Sequence, residues 1–162
     1  DVDLEGKTLT IRRNLQRIVG EGLTEGTPKT NKSFRKIALA SAAVDTLRKQ
    51  RSTQSETRLL AGPAWNDTNK VFTNAFGNPI DPDKLTTEFK SLVDNTNLTK
   101  ITLHGLRHTF ASLSIMAKVD AKIMSESLGH SSVSFTLDTY GHLFPSQKQE
   151  AADAFDIFLK TG

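Results

Sequence analysis

The chain of 162 residues contains no cysteine, so disulfides and thiolate metal sites are excluded and a reducing compartment fits. No apolar run approaches the length of a membrane span, and no signal-peptide pattern is present. Internal repeats and low-complexity tracts are also missing, which excludes solenoids and sequence-encoded linkers. Aromatic residues make up only 7% of the chain, with a single tryptophan and a single tyrosine, Tyr140.

What remains is ordinary globular composition, 36% hydrophobic and 24% charged, enough for one domain with a core. The first residue is Asp1 rather than methionine, and the expectation is a piece of a longer protein. The net charge of +3 is unevenly placed. Residues 1–58 carry twelve Lys/Arg against seven Asp/Glu, and residues 59–162 carry nine against eleven. A basic N-terminal part points toward a polyanion, because phosphate contacts supply most sequence-independent affinity for nucleic acid; a solvated basic surface reads the same way.

Hydrophobic periodicity predicts strands over "KTLTIRRN" (7–14) and "KSFRKIAL" (32–39), with a further short strand near 23–28 in a turn-rich link. Together they read as a small antiparallel sheet with a basic face. A long helix follows a predicted serine cap at Ser41. The Gly- and Pro-rich stretch after it is irregular, with Val71-Phe72 as a short extended piece. From Asp81 the pattern turns helical: Asp81 caps a helix with Leu85, Phe89, Leu92 and Val93 on one stripe. The next begins around Thr102 to His104 and is expected to bury Leu106, Phe110, Leu113 and Ala117. A short helix capped by Asp120 carries Ile123, Met124 and Leu128 and stops at Gly129. Ser131 or Ser132 starts another through Val133, Phe135, Leu137 and Tyr140. A last helix, with a capping-box pattern at Ser146 and Gln149, places Ala151, Phe155 and Phe158 on one side.

Chemistry concentrates in "HGLRHTFAS" (104–112), which has three readings. His104 and His108 share a helix face, the spacing of HExxH zinc hydrolases. Gly105 stands where that chemistry needs glutamate, however, and no carboxylate follows nearby as third ligand. Alternatively, His104 and Arg107 clamp an anion in the first turn, where free N–H groups favour one and the planar guanidinium grips phosphate at two points. The third reading is a capped helix start without function, with His108 a satisfied, half-buried histidine.

"HGLRHTFAS", then "SESLGHSS", then "TLDTYGHL" resemble the C-terminal motifs of tyrosine recombinases of the phage-integrase type, in the family's order and with short spacings. Upstream, "TPKTNKSFRKIAL" resembles that family's lysine-bearing β-hairpin, and "DVDL" resembles the entry into its sheet, so the likeness covers about residues 1–145.

The resemblance implies an α+β, mainly helical catalytic domain. A small sheet would occupy 1–40, a helical core 41–145 and a C-terminal helix 146–162. It implies site-specific recombination of double-stranded DNA through a 3′-phosphotyrosyl intermediate, in which Tyr140 is the nucleophile and His104, Arg107 and His130 hold the scissile phosphate. Lys29 would protonate the leaving 5′-oxygen, with Lys32 as the alternative. Arg12, Arg13, Lys32, Arg35 and Lys36 become DNA-backbone contacts, and His142 a structural or auxiliary group. No cofactor and no metal are implied. Partners would be DNA, other protomers and accessory DNA-bending factors, in the bacterial cytoplasm and on a mobile element. A phenol with a pKa of about 10 is protonated at neutral pH, so cationic groups must stabilise the charge that develops on phosphorus. Taken by itself, a lone tyrosine near Leu137 and Phe144 is a core residue with its hydroxyl at the surface.

One departure stands out. The family carries a further phosphate-binding arginine in a G-x-R-x-x-E stretch just before the sheet, and the chain has none. The expectation is that the sequence begins past that arginine and past an N-terminal DNA-clamping domain, and has little activity alone. A non-catalytic DNA-binding or assembly module on the same fold is the alternative.

Overall fold

In the computed structural model, residues 1–27, 33–97, 99–144, 153, 157, 159 and 160 are described. They form two compact units, Asp1–Leu106 and Arg107–Gly162.

The first unit opens with strands β1 (Val2–Asp3), β2 (Thr8–Ile11), β3 (Asn14–Ile18), β4 (Gly22–Gly26) and β5 (Arg35–Ala38). The expected single sheet is in fact two antiparallel pieces: a three-stranded sheet ordered β1-β2-β5 and a β3-β4 hairpin. The predicted strand over 7–14 divides because Arg12 and Arg13 leave the ladder, and Asn14 begins pairing with Gly26. The hairpin turn uses Gly20 and Gly22 at φ 86° and 83°, a region only glycine enters without cost. Helix α1 (Ser41–Ala61) packs through Val44. Its N-cap is Ala40, not the expected serine cap: the Ser41 hydroxyl accepts from Lys7 Nζ at 3.1 Å instead. The expected extended piece at Val71-Phe72 is a bend, beside an isolated bridge between Thr73 and Pro79.

Helix α2 (Pro82–Asp94) starts as expected: Asp81 accepts the Asp83 N–H, Pro82 occupies the first turn, and Val93 is buried. The Asp81 carboxylate also accepts from Arg17 Nε at 3.0 Å, and the Arg17 hydrogen bond is the main reason its pKa lies below the usual carboxylate value. Helix α3 (Leu103–Met116) begins in this unit, with the Thr102 hydroxyl accepting the Gly105 N–H at 2.9 Å.

The second unit contains the rest of α3, then α4 (Ala121–Leu128) and α5 (Val133–Tyr140). Its core is Ala111, Ile115, Met124, Leu128 and Tyr140, with Val119 and Phe144 packed against it. The buried face of α3 is therefore Ala111, Ser114 and Ile115, not the expected stripe. Phe110 and Leu113 are 48% and 57% exposed, and Leu106 and Ala117 are exposed as well. Small Ala111 and Ser114 permit close helix approach, and this outweighs the larger apolar residues a quarter-turn away. Likewise α4 buries Met124 and Leu128 but exposes Ile123, and α5 buries Thr136 and Tyr140 but exposes Phe135 and Leu137. Of the expected last helix, the described residues Asp153, Ile157, Leu159 and Lys160 are helical, whereas its cap at Ser146 and Gln149 and its apolar Ala151, Phe155 and Phe158 lie outside the described residues.

Candidate active site

Four side chains of the second unit, Arg107, His108, His130 and Tyr140, are connected through backbone and ring contacts. Arg107 extends from α3, and its Nη2 donates to the Leu128 carbonyl at 2.5 Å. That carbonyl belongs to the last turn of α4 and has no partner within the helix. One fork of the guanidinium is thereby fixed while other N–H groups stay available for an anion.

His130 is placed by the way α4 ends. Gly129 adopts φ 69°, its N–H returns to the Glu126 carbonyl, and the His130 N–H returns to Ser125 at 3.0 Å. This pair of bonds is a Schellman termination, and the sequence "LGH" carries it directly. Ser125 then donates from its hydroxyl to the Ser132 carbonyl at 3.1 Å, and Ser132 caps α5 by accepting the Phe135 N–H. On α5, the fully buried Thr136 hydroxyl meets His130 Nδ1 at 2.7 Å. The His130 ring packs edge-on against Phe135 and lies nearly parallel to the Tyr140 ring, with centroids 6.4 Å apart. Its pKa is lowered, first by desolvation and then by the charge of Arg107, so it is a neutral imidazole over a wider pH range than usual.

Tyr140 closes α5. Its ring is part of the core, 4% exposed, as a lone tyrosine at that position is expected to be. Its hydroxyl is 2.8 Å from His108 Nδ1. His108 is exposed rather than half-buried, and its contact with Tyr140, across 32 residues of sequence, has no signal in the sequence. Thr136 is missed for the same reason: neither residue carries a motif that names its partner.

The other predicted residues fall elsewhere. His104 lies three residues before Arg107 on α3, in the first unit, and is exposed. Arg12 pairs with Asp1 at 3.0 Å, and Arg13 bridges Asp1 and Glu25 at 3.3 and 3.2 Å. Arg35 donates to the Ser33 carbonyl, and Lys36 stands exposed opposite Thr10 on β5. Lys29 and Lys32 lie outside the described residues. His142 is exposed in a single 3₁₀ turn after α5. A cleft of about 800 Å³ in the first unit is lined by charges that pair with one another, among them Arg13, Glu25, Arg48 and Lys70. Among the described residues no cluster of three or more His, Asp or Glu could hold a metal, and no helix is long and apolar enough to cross a membrane.

Known proteins resemble the chain over most of its length. The phage integrase family model matches residues 1–147. A tyrosine recombinase XerC-like protein of Caldanaerobacter subterraneus subsp. tengcongensis is 33% identical over 171 residues, covering 98% of the chain and 44% of that relative. The ICEBs1 integrase of Bacillus subtilis is 32% identical over 133 residues, covering 82% of the chain and 36% of that protein. The chain thus spans less than half the length of these relatives. Among solved structures, the Tn1549 transposon integrase in complex with circular intermediate DNA superposes with a TM-score of 0.64 at 20% identity, over 98% of the chain and 52% of its own. The XerA recombinase gives 0.63 at 24% identity, over 96% and 48%. At these identities the structural likeness establishes the fold.

Proposed function

Because the chain belongs to the phage integrase family, we propose that it is catalytic-domain sequence of a tyrosine-type site-specific DNA recombinase. The observation that carries this reading is the convergence of Arg107, His130 and the Tyr140 hydroxyl within one small helical unit. The substrate is duplex DNA at a recombination site. The Tyr140 oxygen attacks the scissile phosphorus, the bond to the 5′-oxygen breaks, and a 3′-phosphotyrosyl link stores the bond energy for rejoining to another strand. Arg107 grips the non-bridging oxygens at two points and stabilises the charge that builds on them. His104 and His130 add hydrogen bonds to the same phosphate. A neutral His130 can donate there from Nε2 only if Thr136 donates into Nδ1, which gives the Thr136 contact a role in selecting the tautomer. Lys29, or Lys32, delivers the proton to the leaving 5′-oxygen. Arg12, Arg13, Arg35 and Lys36 supply backbone contacts, the first two after exchanging their carboxylate partners for phosphate. Other protomers and DNA-bending factors complete the assembly on a mobile element in a bacterial cytoplasm.

A non-catalytic DNA-binding or assembly module is the second reading, favoured by the 4% exposure of Tyr140. Covalent capture separates the two. The chain, and any longer gene product containing it, is incubated with nicked duplexes and denatured in detergent. A protein–DNA adduct lost in Tyr140→Phe supports the recombinase; binding without any adduct supports the module.

A further inference from the structure

We infer that His108 receives the proton of the Tyr140 hydroxyl when the phenol attacks phosphate. This rests on Tyr140 being the nucleophile and assigns the partner that activates it. The hydroxyl lies 2.8 Å from His108 Nδ1, with ring centroids 5.7 Å apart and planes tilted by 59°. That distance is a full hydrogen bond, and the tilt lets the in-plane nitrogen lone pair meet the phenol edge rather than its face. The other imidazole is worse placed for the task. His130 commits Nδ1 to Thr136, and its ring lies nearly parallel to the tyrosine ring with centroids 6.4 Å apart. The Tyr140 ring is 4% exposed, which leaves little room for water to compete as proton acceptor, whereas His108 is exposed and can pass a proton on to solvent.

The step balances without a co-reactant. The phenolic O–H pair of electrons forms the bond to phosphorus, the proton moves to His108 Nδ1, and the departing 5′-oxygen keeps the electrons of the broken bond and takes a proton from the general acid. In rejoining, the His108 imidazolium returns its proton to the phenol. The scheme requires neutral His108 to carry its hydrogen on Nε2.

Two measurements test this. In the 162-residue chain, ring ¹⁵N spectra are expected to show neutral His108 as the Nε2–H tautomer, and the ¹³Cζ signal of the sole tyrosine should move in His108→Leu. A neutral ring with hydrogen on Nδ1 overturns the assignment, since that atom then donates. In covalent capture on nicked duplexes selected from a random-sequence pool, His108→Leu and His108→Asn should both slow adduct formation by about 10²-fold with DNA binding retained. Added imidazole should restore part of the rate in His108→Ala. Asparagine keeps an acceptor but takes up no proton, so full activity in His108→Asn overturns proton transfer, as does full activity in His108→Leu. An adduct that persists in Tyr140→Phe refutes the nucleophile itself, a different failure from either.

Discussion

The Arg107 guanidinium and the Leu128 carbonyl form a 2.5 Å bond that ties the middle of α3 to the C-terminal end of α4. The arginine is thus held by the backbone of the segment that carries His130, so one contact links the placement of the guanidinium to that of the histidine. Arg107→Lys should lose both the fixed fork and the two-point grip. The expected result is an adduct rate lower by about 10²–10³-fold, with a stability loss of about 1.5–3 kcal/mol in denaturant melts. A lysine variant that cleaves at the native rate would show that charge alone suffices.

Tyr140 packs in the core and is the nucleophile of the proposed reaction, and two substitutions separate the two roles. Tyr140→Phe keeps the ring in the core and should cost about 1 kcal/mol for the lost hydrogen bond, while abolishing the adduct. Tyr140→Ala should cost about 3–5 kcal/mol by opening a cavity among Ile115, Met124 and Leu128. Thermal melts of the two variants check the ratio.

His130 makes stability depend on pH. Its folded-state pKa lies below the ordinary value, from desolvation first and Arg107 second. The unfolded chain, titrating near about 6.5, therefore binds more protons in the window beneath that value. Stability should fall as pH drops through this window and level off below the folded pKa. His130→Gln should flatten that part of the profile, measured by denaturant melts between about pH 5 and 7. An unchanged slope would assign the acid sensitivity to other groups.

Thr136→Val replaces the buried hydroxyl that meets His130 Nδ1 with a methyl group. The folded state should lose about 1 kcal/mol. Cleavage should fall further than stability accounts for, because nothing then selects the tautomer that donates from Nε2. Thr136→Ser should recover both. Single-turnover capture beside thermal melts gives the comparison, and equal loss in valine and serine would remove the hydroxyl from the argument.

Local signals were legible in the sequence because each depends on a few neighbouring atoms. Asp81, Asp120 and Ser132 accept N–H groups two or three residues ahead, and Gly129 ends α4 in a conformation that penalises a Cβ. Motif order marks Tyr140, Arg107 and His130, and periodicity together with the resemblance gives the fold class. Ser41 marks the edge of this reach, since a cap residue also needs the right backbone, and its hydroxyl accepts from Lys7 in the turn before β2.

What the sequence by itself determined, then, is where helices start and stop, which residues form the motifs, and the family. Only the tertiary structure decided that Ala111 and Ile115, not Phe110 and Leu113, face the core, that Arg107 rests on Leu128, and that Tyr140 meets His108. Periodicity offers α3 two apolar faces, and the choice between them belongs to the helices that pack against it. Contacts 21 or 32 residues apart are likewise set by how those helices cross, a property no local stretch of sequence contains.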